Sequence, residues 1–299
     1  MKILVSGKNS QIGNEFSNLI LNSSDDYLLT SSESMNLLDE NALRETILEY
    51  NPDIIINLSA YTKVDECENN KEKAYLINGK APGLLADIAL KINALLIHIS
   101  TDYVFGNENV GPFEFNSITS PINYYGFSKL EGEKAIVDSK CNSIIIRTSS
   151  VFSTHGKNFI KTISEKILSD NDIKVVNDQM ISMTCAGDLA NTLIALIADR
   201  KKNIHIENNK SLIFHYTNIG FTTWYDVAIL ILNNLSTMKE LTGKITPINL
   251  SDWNSKAKRP IDSRLLLDYD LLDSLSIGLC NWEQRVSRVL DALYRDRNN

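Results

Sequence analysis

The first twenty-one residues already restrict this chain to a small set of architectures. Lys2–Ser6 is a short run of β-branched and leucine side chains, the composition of a strand buried on both faces. Gly7 ends it at once, and from Gln11 to Leu21 the apolar residues Ile12, Phe16, Leu19 and Ile20 return at helical spacing. Strand, tight loop and helix in immediate succession make a βα unit. A buried strand of this kind wants parallel neighbours, and those are reached only through long crossovers.

The following residues supply the neighbours. Apolar strands are predicted at Tyr27–Thr30, Asp53–Leu58, Ala94–Ser100 and Ser143–Thr148, separated by helical patterns over Glu40–Tyr50, Glu72–Ile92 and Asn123–Val137. Repeated βαβ units require a parallel sheet with helices on both faces. Beyond about residue 150 the rhythm loosens. Helices are expected at Asn158–Leu168, Ala186–Ala198, Thr223–Leu235 and Gln284–Tyr294, short strands at Ile173–Val176 and Ile213–Thr217, and loops at Asn203–Lys210 and Lys256–Arg259. The expected fold class is α/β: a Rossmann-type, doubly wound parallel sheet with a smaller mixed α/β substrate domain. A chain of 299 residues has room for both. Residues 1–150 are expected to bind a dinucleotide and 151–299 mainly substrate, with Asn177–Gln179 and Thr222–Tyr225 returning toward the first part.

The loop Gly7-Lys8-Asn9-Ser10-Gln11-Ile12-Gly13 stands between the first strand and the first helix, where backbone N–H groups and a helix N-terminus can face a pyrophosphate. The first glycine permits the tight turn and the last lets helix and strand approach closely; Ser10 occupies the middle glycine position of the usual pattern. An NAD site places an acid at the end of the second strand, whereas Thr30-Ser31-Ser32 stand there and Glu33 comes late. Lys8 can reach a 2′-phosphate, so NADPH is the favoured cofactor, with NADH also admitted. Alone, two glycines six apart make a turn, and Lys8 can equally be a solvated surface charge.

Tyr125 and Lys129 lie four apart at the start of a predicted helix, which puts phenol and ammonium on one face. A lysine beside a tyrosine favours the phenolate and is expected to lower its pKa, suiting the pair to trade a proton with a carbonyl oxygen. An isolated pair of this spacing is ordinarily a helix surface. It gains meaning from Ser100-Thr101-Asp102-Tyr103, which end a predicted parallel strand at the edge where open α/β sheets collect ligands. His98, inside that strand, reads as a packed core histidine, and Tyr124 points elsewhere on the helix.

Charge and cysteines narrow the partners. A formal net charge of −7 gives the chain no general attraction for nucleic acid or an anionic membrane. No apolar run approaches the roughly 20 residues of a membrane span. Cys67, Cys141, Cys185 and Cys280 contain no CxxC pair and no histidine at ligand spacing, so no metal site is expected. Free thiols and the short apolar start, cut off by Gly7, read as a cytoplasmic protein.

These residues resemble the extended short-chain dehydrogenase/reductases and, within them, the dTDP-4-dehydrorhamnose reductase family, over almost the whole chain. Gly7–Gly13 is similar to the family's cofactor loop. Asn57–Asp65, with Ser59, Ala60 and Tyr61, is similar to the segment flanking the cofactor, and Asn78 to the family's helix asparagine. Ser100–Phe105 looks like the STDYVF motif, and Tyr125 and Lys129 fall on its catalytic pair. Asn177–Gln179, Thr222–Tyr225 and Lys258–Ser263 resemble signatures of the C-terminal half.

The resemblance implies reduction of the 4-keto group of a nucleotide-linked deoxysugar, in activated deoxysugar biosynthesis for surface polysaccharide. Nicotinamide would give hydride to carbon 4, Tyr125 would protonate the alkoxide, Lys129 would hold the nicotinamide ribose, and Thr101 would orient the ketone. Substrate contacts are expected from Thr101, Asp102, Tyr103 and Arg259, the last toward the diphosphate. The second acid of the related 4,6-dehydratases is missing, because Asp102 is followed by Tyr103. Ser150 stands where the family commonly has tryptophan and Met183 where it has proline. With Ser10, these suggest altered sugar-facing residues, and so a deoxysugar other than rhamnose or the opposite product stereochemistry. A non-catalytic cofactor-binding regulatory subunit is the alternative reading, and a homodimer is left open.

Overall fold

The chain is described by a computed structural model over residues 1–106, 110–201, 210–238 and 240–294, with backbone alone at 199–201. The loop expected at Asn203–Lys210 lies, apart from Lys210, outside the described residues. β1 (Lys2–Ser6) pairs in parallel with β2 (Asp26–Thr30) on one side and β3 (Ile54–Asn57) on the other. β4 (Leu95–Thr101), β5 (Ser143–Thr148) and β10 (Ser211–His215) extend the sheet from β3, giving the order β10-β5-β4-β3-β1-β2, parallel throughout.

Alternation along the strands sorts the core into two layers, as a period of two requires. Ile3, Val5, Ile54, Ile56 and Ile97 face one side, against α1 (Gln11–Leu19) and α8 (Ala186–Lys201). Leu4, Ile55, Leu96 and Ile145 face the other, against α2 (Glu40–Tyr50), α5 (Ala81–Ile92) and α6 (Tyr124–Ser139).

The predicted helix Glu72–Ile92 is in fact three pieces: α4 (Lys71–Tyr75), a π-helical turn Leu76–Lys80, and α5. A further short helix, α3 (Val64–Asn69), precedes them and was not apparent from its polar sequence. The strand expected at Ile213–Thr217 begins earlier and forms the sixth strand of the main sheet rather than part of the smaller unit. α8 accompanies it, because Leu189, Leu193 and Ile197 cover apolar surface of the sheet beside α1.

A second core lies beyond β5. It is built from α7 (Phe159–Leu168), α9 (Trp224–Ser236) and α11 (Trp282–Tyr294), joined by Ile160, Val227, Ile231 and Val286. Three small ladders frame it: β6 (Val151–Phe152) with β9 (Thr184–Cys185), β7 (Ile173–Val176) with β12 (Ile245–Ile248), and β8 (Met180–Ser182) antiparallel to β11 (Phe221–Thr223). α10 (Tyr269–Ser274) packs Leu272 back onto the first core. The chain comes back to the sheet through α8 and β10, and Trp224, from Thr222–Tyr225, lines a cavity together with the glycine loop.

Candidate active site

A cavity of about 480 Å³ opens at the C-terminal edge of the sheet. Its walls come from the glycine loop, the ends of β3 and β4, the first turns of α6, and the segment after β5. Gly7 takes φ +81°, and a Cβ there would stand 2.9 Å from the backbone of Leu58 and Ser59. A Cβ on Gly13 would run into the carbonyl of Gly7, so both glycines are required for the loop to fold back on β3. Ser10, in the place of the middle glycine, is the N-cap of α1: its hydroxyl accepts from the Gly13 N–H at 3.0 Å. Asn9, Ser10, Gln11 and Ile12 line the cavity, whereas Gly7, Lys8 and Gly13 shape the loop from outside it.

Gln11 ties the loop to the second unit. Its Nε2 donates to the Val151 carbonyl at 3.1 Å, and Ser153 and Asn158 donate to its Oε1 at 3.2 and 2.8 Å. The Lys8 N–H donates to Thr30 O at 2.9 Å, which places Lys8 beside the end of β2.

α6 begins with Asn123, whose side chain caps the Gly126 N–H at 2.8 Å. Thr101, Asp102, Tyr103, Tyr125 and Lys129 all line the cavity. The rings of Tyr103 and Tyr125 meet edge to face, 5.9 Å apart. The expected lowering of the Tyr125 pKa by Lys129 does not hold. Burial pushes the phenol up, with the neighbouring Thr101 hydroxyl offsetting part of that. The reason lies in where Lys129 points. It is 1% exposed, its Nζ donates to Ile99 O at 2.6 Å and lies 3.1 Å from His98 Nε2, and burial brings its own pKa down to about 8. Asp102 is buried, and desolvation raises its carboxyl to about 6 despite hydrogen bonds from Ser149 and Thr101.

Ala60 lines the cavity, but Ser59, Tyr61 and Asn78 do not. Asn78 is buried in the π-helical turn. Its Oδ1 accepts the Tyr61 N–H at 2.8 Å, and its Nδ2 donates to Tyr61 O and Ser128 Oγ, each at 3.0 Å. It thereby staples the loop after β3 to α6. Tyr61 turns its hydroxyl to Glu66 at 2.7 Å.

A second cavity of about 540 Å³ adjoins the first through Thr62, Val64, Lys157 and Trp224. Arg259 lies here, 3.2 Å from Asp65, and its Nε has no partner among the described residues. Trp253, Phe159, Lys166 and Lys174 share this wall. Trp224 Nε1 donates to Gln179 Oε1 at 3.0 Å, fixing the indole at the junction. Sequence reading missed Lys157 and Trp253, which lie in loops with no period of their own. His98 is fully buried within β4, as its place in the predicted strand implies.

The three departures from the family pattern do not share one face. Ser150, at φ +45°, and Ser10, the cap of α1, both line the first cavity, whereas Met183 is fully buried in the second core. Met183 therefore cannot belong to a sugar-facing set. Among the described residues no His, Cys, Asp and Glu cluster could hold a metal ion, and no helix is long and apolar enough to cross a membrane.

The sequence pattern of the RmlD substrate binding domain matches residues 1–295. The spore coat polysaccharide biosynthesis protein SpsK of Bacillus subtilis is 31% identical over 97% of this chain and 96% of its own. A dTDP-4-dehydrorhamnose reductase of Aggregatibacter actinomycetemcomitans is 31% identical over 96% of this chain and 98% of its own. The crystal structure of dTDP-4-dehydrorhamnose reductase from Bacillus anthracis in complex with NADP superposes with a TM-score of 0.86 at 26% identity, covering 97% of this chain and 99% of that one. With the family pattern spanning residues 1–295 and relatives 31% identical over nearly the whole chain, the chain belongs to the dTDP-4-dehydrorhamnose reductase family.

Proposed function

We propose that this protein is an NADPH-dependent reductase of the 4-keto group of a nucleotide-linked deoxysugar. The observation that carries the reading is the meeting of Thr101, Tyr125 and Lys129 in one cavity beside a glycine cradle. The cradle fits a dinucleotide: side chains at positions 7 and 13 would fill it, and the first turn of α1 faces the cavity. The end of β2 offers Ser31, Ser32 and nearby Lys8 rather than a carboxylate, which suits a 2′-phosphate and favours NADPH over NADH. The relative crystallised with NADP points the same way.

When bound, the cofactor supplies the hydride. Thr101 then holds the substrate oxygen, and the Tyr125 hydroxyl gives it a proton. A phenol kept protonated by burial is in the right state for that task. Lys129 lies beneath, ready to hold the cofactor ribose. Asp102, Tyr103 and the wall containing Ser150 would contact the sugar. The adjoining cavity supplies Arg259, Lys157 and three aromatic side chains for a nucleoside diphosphate. Ser150 leaves room that a large ring would fill, so the sugar can differ from rhamnose. A polysaccharide pathway is consistent with the Bacillus subtilis relative.

The four free cysteines suit a reducing cytoplasm. A homodimer is carried forward for light scattering to test, with Tyr75, Phe127 and Val137 as exposed apolar candidates on α4 and α6. The activity test is direct. Purified protein with NADPH and a dTDP-4-keto-6-deoxyhexose should consume the reduced nicotinamide and give an alcohol whose configuration NMR assigns. No consumption with any such ketosugar overturns the reading.

A further inference from the structure

Beneath the cavity floor a buried chain of polar side chains runs from Lys129 through His98, Asn57 and Ser6, which the reaction as described does not use. Lys129 Nζ lies 3.1 Å from His98 Nε2, and His98 Nδ1 lies 3.0 Å from Asn57 Nδ2. Asn57 Oδ1 in turn accepts the Ser6 hydroxyl at 2.7 Å and the backbone N–H of Ser59 at 3.1 Å. His98, Asn57, Ser6 and Lys129 are all at most 2% exposed, so every donor here needs an acceptor.

The bookkeeping leaves one arrangement. The Ser59 N–H is a backbone donor with a fixed direction, so the atom of Asn57 that faces it must be the carbonyl oxygen. The Asn57 NH2 therefore faces His98, and Nδ1 of the ring must be a bare acceptor. A neutral imidazole with bare Nδ1 carries its proton on Nε2. That N–H points at Lys129, which can receive it only through the lone pair of an uncharged amine. The alternatives each press two donors together: an imidazolium, or the Nδ1–H form, would meet the Asn57 NH2. Turning the amide over would set that NH2 against the Ser59 N–H.

We propose that His98 is a positioning residue for the reductase site, fixed by Asn57 in the Nε2–H form so that its N–H faces Lys129 and disfavours the ammonium in the cofactor-free protein. This rests on the reading of Lys129 and Tyr125 as the working pair. The more readily Lys129 gives up its charge, the less it stabilises a phenolate, which adds to burial in favouring the protonated Tyr125 that protonates a carbonyl. The electrostatic surroundings agree. Burial lowers Lys129 to about 8 and pushes His98 well below the usual imidazole range. Of the other ionisable groups nearby, Glu133 on α6 raises Lys129, Tyr125 on the same helix is protonated, and Asp102 lines the cavity from the end of β4. Cys67 on α3 acts on Tyr125, and burial keeps its thiol up at about 11.

The test is NMR of the whole protein without cofactor. Two-bond proton–nitrogen correlation on histidine-labelled protein should show His98 protonated at Nε2 and bare at Nδ1. The Lys129 13Cε signal should titrate near 8. In Asn57→Asp the new carboxylate keeps the Ser6 and Ser59 contacts and accepts from Nδ1, so the tautomer should invert and the proton affinity of Lys129 rise by roughly tenfold or more. An Nδ1–H signal in the native protein overturns the proposal. So does a Lys129 that stays charged past about pH 10, close to an ordinary lysine, or an Asn57→Asp protein with an unchanged tautomer. If that variant does not fold, the native spectra decide alone. Because no turnover is measured, absence of ketosugar reduction would sink the reductase reading and leave the tautomer result standing.

Discussion

Arg147 on β5 and Glu133 on α6 form a forked ion pair under the cavity, with Nη2 to Oε2 at 2.7 Å and Nε to Oε1 at 3.0 Å, both side chains at most 5% exposed. Arg147 also donates to Phe115 O at 2.8 Å and lies 5.1 Å over the Phe105 ring, while Ser100 donates to Glu133. The pair thus locks α6, which carries Tyr125, to the strand ends that carry Thr101. Removing one partner leaves a buried charge alone. Arg147→Met is expected to cost about 3–5 kcal/mol in urea unfolding. Arg147→Met with Glu133→Leu should recover much of it, since both charges are then gone.

Gly13→Ala tests the cradle. Its Cβ would collide with the Gly7 carbonyl, a backbone atom that cannot step aside without opening the loop. The variant should lose NADPH binding by at least about tenfold, or 1.4 kcal/mol, and unfold at lower urea. Ser10→Ala removes only the cap of α1 and should cost about 1 kcal/mol. Equal NADPH affinity in Gly13→Ala and native protein, measured by fluorescence titration, would show that the loop is not the cofactor cradle.

How far the sequence carried this picture follows from where period and motif coincide. β1, the Gly7–Gly13 loop and the Tyr125–Lys129 helix were legible because an apolar run, a glycine and a spacing of four each act locally. β10 was assigned to the wrong unit, since Ile213 and Phe214 look the same whether they join a six-stranded sheet or a small one. Only the apolar face of α8 beside α1 decides it. The π-helical turn at Leu76–Lys80 was hidden because one extra residue barely disturbs helical periodicity. The burial of His98 is legible in its strand, but its partners Asn57 and Lys129 are not, because they lie 41 and 31 residues away.

Tyr125→Phe removes the proposed proton donor while keeping the ring against Tyr103. Turnover should fall by roughly 10²–10⁴-fold, the usual worth of a positioned acid, with NADPH affinity unchanged. Stopped-flow single-turnover kinetics would check it. A native rate in the variant would remove Tyr125 from the chemistry.

Arg259 and Lys157 should separate in their effects. Arg259 lines the second cavity alone, whereas Lys157 lines both. Arg259→Met is therefore expected to raise KM for the nucleotide sugar by about tenfold, the equivalent of 1.4 kcal/mol, and to leave NADPH affinity alone. Lys157→Met should weaken both. Arg259→Lys should not restore the native KM, because an ammonium lacks the planar fork that matches a diphosphate.

Asp102 gives the protein a pH-dependent strain. Burial raises its carboxyl from 3.8 to about 6, so the folded state holds the proton more tightly than the unfolded chain. The associated stability is fully present below 3.8 and is lost as pH rises through about 6. The loss amounts to about 3 kcal/mol by neutrality. Asp102→Asn cannot ionise, so it avoids this loss, although its amide must be accommodated by the hydroxyls of Thr101 and Ser149 that now donate to the carboxylate. Urea unfolding of both proteins from about pH 4 to about pH 7 isolates the effect, because contributions from every other carboxyl cancel in the difference. The stability of the Asn variant relative to the native protein should rise across that window. A difference that stays flat, or falls, would mean that the Asp102 carboxylate is as well satisfied in the fold as in water.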